Sequence, residues 1–193
     1  MTYWEAPISP YKTEDGKFVP ATTSPLRDVD IRQVAEMIRC DEELKRLTEQ
    51  VRAAGDMRKA KTRLLHYVTP MGTFSRRRAD FIVTCSGLVP YDIDKVADGL
   101  DLESVKRHIF DELGEYARLA FISPSGKGIK LLVDTRCNIT EWESGLFADC
   151  FHAVNMYLQG EFGPGVVTLD ESGKDFSRAC FLCHDPNVLY REL

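Results

Sequence analysis

Apolar residues recur at three- and four-residue spacing over Ile31, Val34, Met37, Ile38, Leu44, Leu47 and Val51. That period gathers them on one helix face, so it predicts an amphipathic helix or helical pair ending near residue 53. Asp28 or Asp30 can cap its start, and Gly55 ends it. A second stripe, Leu102, Val105, Ile109, Phe110 and Leu113, predicts a helix over 101–114, closed by Gly114. A third, capped by Thr140, runs through Trp142, Leu146, Phe147, Cys150, Phe151, Val154 and Leu158 and breaks between Gly160 and Gly165. Elsewhere the pattern turns to short β-rich runs. FIVTCS and GLVPYDID flank a turn at Ser86-Gly87, and ARLAFIS (117–123), IKLLVDTR (129–136), VVTLD (166–170) and RACFLC (178–183) follow. Residues 1–27 hold four of the nine prolines and little periodicity, which reads as an irregular arm.

From residue 88 the predicted order is strand, helix, strand, strand, helix, strand. That order predicts an α+β fold of the ferredoxin-like or RRM-like type, a split βαβ palm with an antiparallel sheet and helices on one face. An N-terminal helical extension precedes it. The expected organisation is an arm and helical extension over 1–60 and a palm over 61–193, together one compact unit. A length of 193 residues suits one domain with a small appendage.

Charge changes the picture locally. Lys and Arg total 25 against 30 for Asp and Glu, a net charge of −5 that excludes an all-round basic nucleic-acid coat. Yet between Arg52 and Arg78 there are eight cations and one acid, Asp56. Arg58, Lys59, Lys61, Arg63, Arg76, Arg77 and Arg78 in this window are candidates to face nucleic-acid phosphate. The plain alternative is a solvated helix face followed by a loop. No apolar run approaches the roughly 18–20 residues of a membrane span. The start, MTYWEAPISPYKTEDGK, lacks the basic and apolar parts of a signal peptide. Six irregularly spaced cysteines do not make a disulfide scaffold, so a reduced, cytoplasmic protein is expected.

Three short constellations carry candidate chemistry. Asp92 and Asp94 alternate on one face of a predicted strand, with Ile93 directed the other way. A divalent cation would relieve their repulsion, and hard oxygen ligands suit Mg²⁺ or Mn²⁺. Ser125, Gly126, Lys127, Gly128 and Lys130 join two strands through a glycine turn whose N–H groups could form an anion nest. It is not a P-loop, because the spacing differs and a strand follows. Asp170, Asp175, Arg178, His184 and Asp185 cluster near the end, where Arg178 offers a fork for phosphate and Asp170 could join the acidic pair. Each has an ordinary counterpart: a polar strand end, a hairpin with surface lysines, an ion pair of Asp175 with Arg178, a histidine satisfied at a strand end. Cys180 and Cys183 have zinc-like spacing but form only half a site, and read as core.

Taken in order, the Asp-x-Asp strand, the Ser-Gly-x-Gly turn feeding a strand, and the Leu-Asp strand followed by Arg and His resemble the archaeo-eukaryotic primase (primase-polymerase) superfamily. VTPMGTFSRRR, SGLVPYDID, FISPSGKGIKLLV and LDESGKDFSRACFLCHDP look like its VirE N-terminal, BT4734-like subgroup over about residues 60–190. Such domains occur in mobile-element and phage proteins, often before a helicase-type ATPase. The resemblance implies Asp92, Asp94 and Asp170 as metal ligands and catalytic acids. It implies Ser125, Lys130, Arg178 and His184 around a nucleotide triphosphate. The second motif of the family usually ends in histidine, and here that position is Lys130, which holds phosphate as a point charge but does not titrate near neutral pH. Two functions are therefore expected as alternatives. One is a metal-dependent nucleotidyltransferase acting on DNA, as single-stranded template or primer-template, and NTP or dNTP. The other is a non-catalytic DNA- or nucleotide-binding module that assists a replicative helicase-type ATPase. No membrane partner is expected.

Overall fold

The computed structural model describes residues 1–136, 144–163, 167–169 and 175–192. The chain opens with β1 (Thr2–Trp4), β2 (Tyr11–Lys12), β3 (Phe18–Val19) and β4 (Arg27–Asp28). Three helices follow, α1 (Ile31–Cys40), α2 (Glu42–Ala53) and α3 (Met57–Leu64). Then come β5 (Tyr67–Thr69), β6 (Gly72–Phe74), β7 (Ile82–Cys85), β8 (Leu88–Val96) and α4 (Leu102–Glu112). β9 (Ala117–Ile122), β10 (Ile129–Asp134), α5 (Ser144–Phe162), β11 (Val167–Leu169), β12 (Cys180–Phe181) and β13 (Leu189–Tyr190) complete it.

Aspartates start four of the helices. Asp30 accepts from Gln33 N at 2.8 Å while the Gln33 side chain accepts from Asp30 N at 3.0 Å, a reciprocal capping box. Asp41, Asp56 and Asp101 accept from the amides of Leu44, Lys59 and Ser104 in the same way. The helical pair expected before residue 53 is thus α1 and α2, and its cap is Asp30.

The larger sheet runs β11-β8-β10-β9-β13, with every pairing antiparallel. Its first four strands, with α4 and α5 between them, follow the split βαβ order that the sequence predicts, and the fold is α+β. Tyr91 of β8 stacks on Phe151 of α5, ring centroids 4.9 Å apart, which sets α5 on the face opposite Asp92. Helix α5 ends at Phe162, between Gly160 and Gly165 as the sequence predicts. Thr140 and Trp142 lie outside the described residues.

A smaller sheet runs β12-β5-β1-β4. Here the irregular arm is corrected. Thr2–Trp4 is an inner strand paired with both β5 and β4. Trp4 is fully buried, stacks on Tyr67 and donates to Thr69 Oγ1 at 3.2 Å. A three-residue strand carries no readable period, and its partner β5 lies beyond three helices, so nothing local announced it. Ser86-Gly87 is likewise no hairpin turn: β7 pairs with β6, whereas β8 pairs with β10 and β11.

The C-terminal segment is locked by Asp185. Its carboxylate accepts from Lys106 Nζ at 2.8 Å, from Ile122 N at 2.8 Å and from Asn187 N at 2.9 Å, while its own amide donates to Ile38 O. Both Lys106 and Asp185 are buried. The carboxylate thereby joins α4, β9 and the segment before β13, and the backbone amide of the same residue ties them to α1. No helix among the described residues is long and apolar enough to cross a membrane. Removing one partner of a buried pair leaves the other charge uncompensated. Lys106→Met should therefore lower stability by about 3–5 kcal/mol in urea unfolding. A loss below about 1 kcal/mol, the size of an exposed pair, would show that Asp185 is satisfied by its amides alone.

Candidate functional site

Antiparallel pairing sets Asp92 of β8 directly opposite Lys130 of β10. Directly opposed side chains are close enough to interact, and Lys130 Nζ lies 2.5 Å from Asp92 Oδ1. The second oxygen, Oδ2, lies 3.4 Å from the Arg178 guanidinium. Lys130 keeps only 7 % of its surface exposed. Burial works against its ammonium, but the Asp92 carboxylate outweighs that and holds the group above the usual lysine range. Asp92 thereby favours the ammonium form of Lys130.

Above this pair opens a cavity of about 710 Å³. Helix α3 contributes Met57, Arg58, Lys61 and Thr62, and β8 contributes Asp92, Ile93 and Asp94. Ser123, Pro124 and Ser125 come from the turn, Ile129 and Lys130 from β10, and Asp175, Arg178, Ala179 and Phe181 from the C-terminal part. Arg77, Ile8 and Val51 complete the lining. Among the described residues, five cationic side chains face three carboxylates. Lys61 is half-buried, its ammonium 5.1 Å from the Phe181 ring centre. Burial, then Lys130 and Arg178, push its pKa below the usual lysine value, against a smaller opposing pull from Asp92 and Asp94. No carboxylate among the described residues pairs with it.

The glycine turn serves the cavity differently from expectation. The amides of Gly126, Lys127 and Gly128 are spent within the turn. Gly126 N donates to Ser123 O at 2.9 Å, Lys127 N to Ser125 Oγ at 3.3 Å, and Gly128 N to Ser123 Oγ at 3.2 Å. Arg52 braces the far side by donating to the carbonyls of Pro124 and Ser123. Gly126 has φ +71°, in the left-handed region, and a Cβ on Gly128 would sit 2.2 Å from Ile93 O. The glycines thus let the turn fold tightly against β8 and offer Ser125, not a nest of amides, to the cavity.

Asp94 is exposed on the cavity side, while Asp170 lies outside the described residues. Lys127 is exposed on the turn. The lining described above does not contain His184, whose amide donates to Thr48 Oγ1 at 2.8 Å. The basic window divides in two. Arg58, Lys61 and Arg77 enter the cavity lining. Lys59 pairs with Asp56, Arg63 stacks over Tyr11, and Arg76 and Arg78 flank the Phe81 ring, with Arg78 also pairing with Asp80. Sequence reasoning assigned Lys61 and Arg77 to a nucleic-acid track and did not single out Ser123 or Arg52 as site residues. Only the packing of α3 and of the 75–81 loop against the sheet reveals those roles. Cys180 and Cys183 are buried, and burial pushes both thiols up to about 12, so they behave as core.

A metal pair is the group that the aspartates would be expected to hold. Both oxygens of Asp92 already face cations, and no cluster of three metal-ligating side chains exists among the described residues. Asp92 as it stands does not fit a metal ligand. Asp94 remains compatible with one.

Comparison with known families, made against this geometry, gives a match to the BT4734-like, N-terminal domain model over residues 59–190. Comparison with curated proteins and with solved structures gives no match. The matched span takes in most of α3, the whole larger sheet and the polar lining residues of the cavity other than Arg58.

The crowding of Lys61 has a measurable cost. A base whose folded pKa is lowered costs stability at neutral pH, and that cost fades as pH rises through the lowered value toward the unfolded one of 10.5. Lys61→Met keeps the apolar stem over Phe181 and removes the charge. It should raise the ligand-free melting temperature at pH 7 by roughly 2–4 °C, the size of about 1 kcal/mol at this length. The gap should close toward alkaline pH, and a drop in melting temperature would refute the account.

Proposed function

The chain belongs to the BT4734-like N-terminal domain family, and on that premise we propose that it is a primase-polymerase-like domain that binds a nucleoside triphosphate and DNA. The observation that carries this reading is convergence. Asp92, Asp94, Ser125, Lys130 and Arg178, distant in sequence, line one cavity together with Lys61 and Arg58. A volume of about 710 Å³ falls in the range of small-molecule sites. Lys61, Lys130 and Arg178 would neutralise the phosphates, while Met57, Ile129 and Phe181 offer apolar surface for a base or sugar. Arg76, Arg78 and Arg63, on aromatic rings beside the cavity, would track a nucleic-acid strand.

In the catalytic form of this reading, a 3′-hydroxyl attacks the α-phosphorus and pyrophosphate leaves. Lys130, Arg178 and Lys61 stabilise the charge that builds on the phosphates. Mg²⁺ or Mn²⁺ would supply the charge that activates the hydroxyl, drawing on Asp94 and Asp170. The ion pairing of Asp92 favours a second reading, in which nucleotide and DNA are bound without transfer, as a module that assists a helicase-type ATPase of a mobile element or phage.

Primer extension with Mn²⁺, run beside nucleotide binding by calorimetry, separates the two. Incorporation by the wild type that Asp94→Asn abolishes supports transfer. Binding without incorporation supports the module. Arg178→Ala should weaken nucleotide binding about tenfold or more under either reading. Binding of neither nucleotide nor single-stranded DNA would overturn the proposal. For DNA, Arg76→Gln with Arg78→Gln should lessen the slope of log affinity against log salt by about 0.7 for each phosphate no longer neutralised.

A further inference from the structure

We infer that Lys130 stands in this chain where a metal ion would neutralise Asp92, so that Lys61, Lys130 and Arg178 form a phosphate subsite that fills without a divalent cation. The inference rests on the cavity being a nucleotide site, and specifies how that site takes its phosphate.

A cation ligating Asp92 Oδ1 would share that oxygen with Lys130 Nζ, 2.5 Å away, and would meet its like charge at close range. Lys130 is 7 % exposed and opposes Asp92 within the paired strands, so the pairing is built into the sheet register. Charge then points the same way. Among the described residues that line the cavity, five cations face three carboxylates, which leaves a net positive charge. A divalent ion added there would meet two fixed cations; a phosphate would meet two attractive ones.

Lys61 supplies the independent observation. Its ammonium lines the same cavity, over the Phe181 ring, and pairs with no carboxylate among the described residues. Half-buried cations that crowd one another are stabilised by an anion bound between them. Arg58 and Arg77 extend the same charge to the cavity mouth. The turn adds the Ser125 hydroxyl as a neutral donor, its amides being used internally.

The test measures binding of inorganic tripolyphosphate and of dATP by calorimetry, in EDTA and in Mg²⁺. In the wild type, binding in EDTA should be at least as tight as in Mg²⁺, which chelates both ligands and removes part of their charge. Lys61→Met should weaken both ligands tenfold or more in both media. Lys130→Met, with folding verified by circular dichroism, should weaken binding tenfold in EDTA and regain part of it with Mn²⁺, because Asp92 is then open to a metal. Wild-type binding that appears only with Mg²⁺ would overturn the inference while leaving the nucleotide site intact. Metal-independent binding indifferent to Lys61→Met would also overturn it, by locating the phosphate elsewhere. Absence of dATP binding in both media would instead overturn the nucleotide reading itself.

Discussion

The Asp92 carboxylate is the tie on which the site depends. It projects from the central region of the larger sheet, where β8 lies between β11 and β10. One of its oxygens meets Lys130 from the next strand, and the other meets Arg178, two residues before β12 of the smaller sheet. A single acid thus links the two sheets across the cavity that separates them. Buried ion pairs are weak contributors to net stability, yet breaking one is costly, so they favour one arrangement over its alternatives. Here the arrangement specified is the one that brings the C-terminal arginine over the palm.

The same economy of polar groups shapes the turn beside it. Ser123 accepts from Gly128 N and shares a hydrogen bond with Ser125, while Arg52 holds the carbonyls on the outer side. With its own amides satisfied, the turn is a wall and not a receptor. The burden of holding an anion passes to side chains, and three of these, Lys61, Lys130 and Arg178, stand close enough to perturb one another. A cluster of like charges is unfavourable in an empty site and favourable around a ligand. That opposition of stability and binding is common at functional sites.

Two segments that look peripheral in the chain are central to the architecture. Thr2–Trp4 enters the smaller sheet between β5 and β4. Asp185, near the other end, accepts from Lys106 and from the backbone of β9. Segments near both ends are therefore held by long-range polar contacts. The family match begins at residue 59, but the cavity also takes Ile8 and Val51 from before it, so the N-terminal part helps close the site.

Much of this was legible in the order of residues. Helical stripes locate α1, α2 and α4 because packing against a core imposes a 3.6-residue period, and the longer strands β8, β9 and β10 carry apolar runs for the same reason. The strand–helix order from residue 88 led to the sheet topology. Asp92, Asp94, Ser125, Lys130 and Arg178 were candidates from their types and spacing. What the sequence left undecided was pairing. Strands of two or three residues, such as β1 and β12, have no period, and their partners lie far along the chain. Spacing could not show that Asp92 faces Lys130, that the turn consumes its own amides, or that Lys61 leans into the cavity while Lys59 pairs with Asp56. Local pattern determines which face of an element is buried; which charge meets which is decided only when distant segments share one volume.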